Sequence, residues 1–441
     1  MNLFYTSLQL KGFPISEARV AFKSIQESCK INVLNYQEER AWQIFKHHLS
    51  SNAAYASWIG NRKISTWHDI PIMTKSSIQV DVAQRLSAGY TPKNTHLHNT
   101  SGSSGTPFFF AKDKFCHALS WALIEHRFGL HDITFGKDLQ ARFYGIPLSK
   151  WKYRKEKLKD SVAARVRFPV FDLSDKVLAN YVMKFRKHNF SYVNGYTSSL
   201  VLMAKYCIQQ KITLKEICPS LKAVFTTSEV CDALDKKMIE QGFGVKAVNE
   251  YGAAELDLIG FEDAAGNFLL THETQFIEIV DDEDKPTQPG QEGRVIITSL
   301  YNKAMPFIRY ELGDRLVLKK EQYNAYQLID RIVGRTNDIA FLPSGKKSPG
   351  LTFYYISKSL LEGGGFMKEF VIKQKSLSHF HFEYVAHRDV LEDEIQKVVH
   401  AMDTYLEPGL TATFERKEKI ERTTAGKLKQ FFSDINEEAR Q

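Results

Sequence analysis

The sequence of 441 residues has only five cysteines, with no CxxC pair and no histidine at zinc-finger spacing, so neither a disulfide framework nor a zinc ribbon is encoded. Such a set suits a reducing, cytoplasmic location. No run of about 18 uncharged apolar residues occurs, and the opening MNLFYTSLQLKGFP lacks a basic stretch leading into an apolar one. Neither a membrane span nor export is therefore expected. A block of single-sign charge is missing too: 59 Lys and Arg against 51 Asp and Glu leave +8, but the signs are interspersed and no basic arm could hold nucleic acid. The small excess suits an anionic small ligand. There is no internal repeat and no low-complexity tract.

What is present is enough apolar sequence for two or three cores. Residues 14–90 read as mostly helical, with Trp42, Ile44, Phe45, Trp58 and Ile59 at helical spacings and Thr74 as a helix cap in IPIMTKSSIQ. From Asp175 to Gln210 the pattern Leu178, Tyr181, Val182, Phe185 predicts one helix, NGY a turn, and Ser198 onward a second helix. LKAVFTTSE, a helix over Ala233–Gln241, and VKAVNEYGAAE alternate as strand, helix, strand, which implies parallel pairing in a layered α/β core. FIEIVDDEDKPTQPGQEGRVIITSL reads as an antiparallel hairpin that opens a β-rich subdomain. After the glycine- and charge-rich DRIVGRTNDIAFLPSGKKSPG, a small α+β domain is expected, with KEFVIKQ and HFHFEYVAH as strands and a helix from Leu391 to Met402.

The stretch HNTSGSSGTPFFF carries the strongest local signal. Thr100, Ser101, Gly102, Ser103, Ser104, Gly105 and Thr106 offer hydroxyls and closely approachable backbone N–H groups, the equipment of an oxyanion cradle. No lysine follows Gly105 as in a P-loop, and neither G-x-G-x-x-G nor G-x-S-x-G is present. A polar linker is the alternative, and Phe108 to Phe110 read as a buried strand. His379 and His381 alternate on one face of a strand, without the partners that would make a metal site. His98 has no assigned role.

T-S-G-S-S-G-T-P resembles the phosphate-binding loop of the adenylate-forming superfamily of acyl- and aryl-CoA ligases, and four further motifs follow in the order of that superfamily. NEYGAAE resembles Y-G-x-[TS]-E, which implies that Tyr251 lines an adenine site and Glu255 binds Mg²⁺. Asn249, Glu250, Gly252 and Ala253 of that motif, with Ser228 and Glu229 of TTSEV, are implied nucleotide or acyl neighbours, as is Tyr196 for the acyl pocket. RYELGDR resembles Y-x-T-G-D, placing Asp314 on the ribose. GRTND resembles the hinge G-R-x-D-D, giving Arg335 a nucleotide contact, and ERTTAGKLKQ resembles R-T-x-x-G-K, which makes Lys427 the catalytic lysine. IPIMTKSSIQ, FDLSD, NGYTSSL and LYNKAMPFIRYELGDR are most similar to the phenylacetate-CoA ligase and CapK group.

The resemblance implies an α/β protein in which a large multilayer adenylation domain (1–333) with parallel sheets and a β-rich subdomain joins, through a hinge (334–338), a small mobile α+β lid (339–441) that carries Lys427. It implies use of ATP and Mg²⁺ to convert a carboxylate into an acyl-adenylate, with transfer to the thiol of CoA, to an amine, or to a sugar hydroxyl in polysaccharide tailoring. A nucleotide-binding regulator without turnover is the alternative from outside catalysis. Three departures stand out: Phe108 follows Pro107 where many relatives have lysine, Ala254 replaces a hydroxyl residue, and Asn337 replaces the hinge aspartate.

Overall fold

The computed structural model describes residues 2–78, 81–99, 108–144, 157–170, 172–323, 326–335, 339–349, 367–422 and 428–435. The chain forms two compact units, Met1–Leu312 with Val317–Asp330, and Gly313–Leu316 with Arg331–Gln441.

The first unit opens with α1 (Leu3–Leu10), α2 (Ile15–Ser51) and α3 (Ala53–Ile59). Helix α2 is two helices in series: at Asn32 the backbone leaves helical geometry (φ −158°, ψ 95°), and the Asn32 carboxamide accepts the Asn35 N–H at 3.0 Å, an N-cap inside the run. Helical structure does not continue to residue 90. Gly60, at φ +59°, ends α3, and single 3₁₀ turns follow. Thr74 does cap, accepting the Ser77 N–H at 3.2 Å, but only one turn forms behind it. The reason is tertiary: residues 68–73 are tied to Arg309, whose guanidinium donates to the carbonyls of His68 (3.0 Å) and Ile70 (2.7 Å) while its own carbonyl accepts the Met73 N–H (2.9 Å). Propensity yields to these bonds.

Strands β1 (His96–Asn99) and β2 (Phe109–Lys112) pair antiparallel, His98 opposite Phe110 and Asn99 opposite Phe109. Helix α4 (Lys114–Gly129) follows. Then come β3 (Gln140–Phe143), β4 (Arg165–Phe168), α5 (Asp175–Lys187), β5 (Tyr192–Tyr196), α6 (Thr197–Gln209), α7 (Leu214–Ile217), β6 (Ala223–Thr227), α8 (Ala233–Phe243) and β7 (Lys246–Ala253). The sheet continues as β8 (Asp257–Glu262), β9 (Phe268–Leu270), β10 (Gln275–Val280), β11 (Glu292–Ser299), β12 (Tyr310–Tyr323) and β13 (Tyr326–Arg335). Its order is β10-β11-β12-β13-β9-β8-β7-β6-β5-β3-β4. The run β4-β3-β5-β6-β7 is parallel, and β10 and β11 form the antiparallel hairpin that the sequence predicts. The parallel strands pack Phe143, Phe168, Val193 and Val224 against α5, α6 and α8 on one face, and Tyr192, Phe225 and Val248 against α1, α2 and α4 on the other.

The NGY segment is not a turn between helices. Asn194, Gly195 and Tyr196 form the buried end of β5, in the middle of the parallel run. Gly195 is needed for close packing, since a Cβ there would lie 2.6 Å from Cβ of Phe143 on β3. Asn-Gly normally signals a turn because it tolerates positive φ; here the missing side chain matters instead.

In the second unit, β14 (Ile339–Phe341) and β15 (Lys347–Pro349) form a hairpin, and β16 (Met367–Gln374), β17 (His379–Ala386), β18 (Thr411–Arg416) and β19 (Phe431–Ser433) form a sheet in the order β18-β17-β16-β19. Helix α9 (Glu392–Tyr405) is the one predicted from Leu391. Among the described residues no helix is long and apolar enough to cross a membrane.

Candidate functional site

The carboxyl ends of β5, β6 and β7 lie side by side, and in open α/β sheets this is where ligands bind. Their last residues are polar and pair across the strands. Thr226 Oγ1 donates to Asn249 Oδ1 at 3.0 Å, and Thr227 Oγ1 donates to Glu250 Oε1 at 2.9 Å. Burial pushes the Glu250 carboxyl above the usual carboxylate range, against the opposing pull of Thr227 and Arg142. Just past β6, Ser228 adopts φ +68°, a left-handed conformation costing a non-glycine residue about 1–3 kcal/mol. That turn aims Glu229 at the start of α6, where its carboxylate accepts the Ser198 N–H at 2.7 Å and its carbonyl accepts Thr197 Oγ1 at 3.1 Å. Glu229 thus supplies the negative charge that a helix N-terminus favours.

From β7 the chain passes into NEYGAAE. Tyr251 is buried, and the pairing of β7 with β8 slips between Tyr251 and Gly252. A Cβ on Gly252 would stand 2.4 Å from the carbonyl oxygen of Asp257, so glycine is required for this close approach. Asp257 itself has φ +60°. The turn between them presents Glu255, 6% exposed, whose Oε1 accepts the Tyr310 hydroxyl at 3.1 Å. Among the described residues Oε2 takes no hydrogen bond or ion pair, which leaves one carboxylate oxygen for a cation.

The turn is clamped by residues that the motif reading missed. Lys112, only 3% exposed, pairs with Asp257 at 2.6 Å and donates to the Ala254 carbonyl at 3.2 Å. Ser120 Oγ donates to the same Asp257 oxygen at 2.5 Å. Burial pushes the Asp257 carboxyl up, but the Lys112 ammonium and Ser120 overcome it and hold the group below its ordinary value. The cation absent from position 108 is matched by one on β2 that serves the glutamate turn. β1 and β2 also fix the two ends of the serine-glycine loop in register; Thr100 to Thr106 themselves lie outside the described residues, as do Asn337 and Lys427.

At the carboxyl ends of β3 and β5 Tyr144 and Tyr196 pack ring against ring at 4.6 Å, and the Arg142 guanidinium lies 4.1 Å from the Tyr144 centroid. Asp314 is half-buried on β12 and Arg335 ends β13; both fall in the second unit, whereas Ser228, Glu229, Asn249 to Ala253 and Glu255 fall in the first. In the second unit His381, Glu383 and Glu415 bring ligand atoms within 4.8 Å of one another. Lys373 pairs with Glu383 at 2.7 Å and Lys417 with Glu415, so ammonium groups already take the positive role there.

No family model matches the chain. Protein CapK of Staphylococcus aureus is 22% identical over 349 residues, covering 74% of this chain and 73% of that protein. Phenylacetate-coenzyme A ligase of Thermus thermophilus is 32% identical over 117 residues, 24% of this chain and 26% of the relative. The fold matches 2-hydroxyisobutyryl-CoA ligase, in the postadenylation state with its acyl-AMP, with a TM-score of 0.70, 16% identity, and coverage of 92% of this chain and 90% of that one. In sequence the chain is thus similar to CapK and to phenylacetate-CoA ligase, and in fold to an acyl-CoA ligase.

In this chain the motif NEYGAAE is a strand end and a tight turn, and its partner RYELGDR begins with Arg309 and Tyr310, both fully buried. Arg309 has φ +44° and an ion pair to Glu278 at 3.3 Å. Tyr310 joins the two motifs through Glu255. Only the tyrosine's place in a quoted motif hinted at this role; Lys112, Ser120 and Asp257 carry no local signal, because what defines them is a contact across more than a hundred residues of chain.

Proposed function

We propose that this chain is an AMP-forming ligase that activates a carboxylic acid as its acyl-adenylate, releasing pyrophosphate, and then passes the acyl group to an acceptor. The observation that carries the reading is Glu255: a buried residue with one carboxylate oxygen held by Tyr310 and the other without a partner among the described residues, on a turn that Lys112 and Asp257 lock in place. Oxygen ligands of this kind fit Mg²⁺. When bound, Mg²⁺ neutralises charge on the phosphate oxygens of ATP.

A carboxylate oxygen is a poor leaving group, and attack on the α-phosphorus of ATP attaches AMP to it. The step passes through a charge-rich transition state, so positioning and electrostatics provide most of the acceleration. In this reading Thr100 to Thr106 hold the β- and γ-phosphates through backbone and hydroxyl donors, Tyr251 with Asn249 to Ala253 borders the adenine, Asp314 takes the ribose and Arg335 the nucleotide. Lys427, on a lid of residues 339–441 turning about 334–338, reaches the carboxylate and α-phosphate as a compact cation. Tyr196 and Tyr144 wall the acyl pocket. The acceptor in this reading is a thiol such as CoA.

Hydroxylamine trapping with ATP and Mg²⁺ across a mixed carboxylate library tests the first half-reaction without knowledge of the acceptor. Hydroxamate formation from at least one acid, dependent on Mg²⁺, is the expected result. ATP binding with no hydroxamate from any acid would leave a nucleotide-binding regulator instead.

A further inference from the structure

At the edge of the parallel run, register sets Arg142 of β3 directly opposite Arg167 of β4, with Asn194 of β5 on its other side. Like charges facing each other across paired strands are destabilising unless something of opposite sign lies between them. Asp160 does part of this: it accepts from Arg165 Nε at 2.5 Å and from Arg167 Nε and Nη2 at 3.0 and 2.9 Å, all three side chains being largely buried. Arg142 is not among its donors. Its guanidinium lies over Tyr144, and its Nε is buried with no hydrogen-bond partner among the described residues. Burial, and then the nearby Arg142, hold the Arg165 guanidinium below its usual value, so these charges feel one another. Glu250, the other carboxyl close enough to act on Arg142, is itself pushed up by burial.

Three guanidiniums thus share this face, with one carboxylate that bonds two of them while the third is hydrogen-bonded only to Tyr144 among the described residues. The planar guanidinium fork suits the paired oxygens of a carboxylate or phosphate. It adjoins the Tyr144–Tyr196 ring pair at the carboxyl ends of β3 and β5, where the proposed function seats the acid. We infer that Arg142, Arg165 and Arg167 form an anion subsite, and that the acid activated here carries a second anionic group, a carboxylate or a phosphate, remote from the carboxylate that is adenylated. The inference rests on the adenylation reading and narrows its substrate class.

Carboxylate-dependent exchange of pyrophosphate into ATP, measured without any acceptor, compares matched pairs: hexanoate with adipate, benzoate with isophthalate, and each alcohol-terminated acid with its phosphate ester. The dianionic member of at least one pair should have the higher kcat/KM by about tenfold to a hundredfold, the worth of a charge-assisted bond. Arg142→Gln should collapse that ratio towards one, and calorimetry should show adipate or the phosphorylated acid binding the variant correspondingly less tightly. If Arg142→Gln fails to fold, Arg165→Gln, which leaves Asp160 with Arg167, serves in its place. Wild-type exchange confined to acids with uncharged tails, or a ratio that survives both substitutions, overturns the subsite while the ligase reading stands. Exchange with no acid at all overturns both.

Discussion

In the antiparallel half of the long sheet, Glu273 accepts from Arg127 through both oxygens at 2.8 Å and from the Tyr326 hydroxyl at 2.8 Å, while Tyr36 donates to its carbonyl at 2.6 Å. At the end of the parallel run, in the turn after β7, Glu255 is almost as buried, yet among the described residues one of its oxygens has no partner, and on β3 Arg142 has an Nε without one beside two other arginines. Both halves bury charge. In the first the charges close on one another, and burial, which pushes the Glu273 carboxyl up, is overcome by Arg127. In the second Arg142 has no carboxylate of its own among the described residues, although an unbonded guanidinium nitrogen occurs in both, at Arg127 Nε and at Arg142 Nε. The difference lies in the carboxylate: Glu273 is matched by a bidentate arginine, whereas Glu255 is held by a tyrosine hydroxyl.

The comparison breaks most sharply if its closed side is opened. Arg127→Met should destabilise the first unit by about 3–5 kcal/mol in urea denaturation, because Glu273 is left as a buried unpaired charge, and adding Glu273→Leu should recover most of the loss. A single variant as stable as wild type would deny the network its structural role. On the open side, Lys427→Ala should lower acyl-adenylate formation about 10²- to 10³-fold while ATP still binds, since a lid cation acts mainly at the transition state. Turnover near wild type in that variant would remove Lys427 from the chemistry. A smaller effect is expected of Glu255→Gln, which should raise the Mg²⁺ concentration needed for half-maximal rate about tenfold and leave the urea midpoint within about 1 kcal/mol. An unmoved Mg²⁺ dependence would assign Glu255 to structure alone.

The weakest probe is pH. His48, buried between Ser87 (3.1 Å) and the Asn302 carbonyl (2.8 Å), is lowered by burial to about 3. The unfolded chain takes up that proton near the ordinary value of about 6.5, so the neutral-histidine contribution is complete above it and declines as pH falls towards 3. Each unit lost below 6.5 should cost about 1.4 kcal/mol for this group. Urea midpoints at pH 7.5 and 5.5 measure it; His48→Gln should flatten the slope, and an unchanged slope would mean that other groups govern acid sensitivity.

Much of this architecture was legible in the chain. Alternation of short apolar runs with amphipathic helices announced the parallel core, and FIEIV followed by RVIITS announced the hairpin. The failures share a cause. NGY reads as a turn because its residues permit one, but Gly195 sits in a central strand for want of room beside Phe143. IPIMTKSSIQ reads as a helix start, but Arg309 draws its backbone elsewhere.

By itself the sequence determined the order and identity of the motif residues, and with them the resemblance to acyl-CoA ligases, because those residues lie in short stretches whose chemistry is local. Only the tertiary structure decided that Lys112 clamps the Glu255 turn, that Tyr310 holds one oxygen and leaves the other, and that three arginines from two strands converge beside a tyrosine pair. Periodicity tells which face of an element is turned inward but not which residue stands across from it. Desolvation and like-charge proximity arise only when distant segments are brought within a few ångströms of one another.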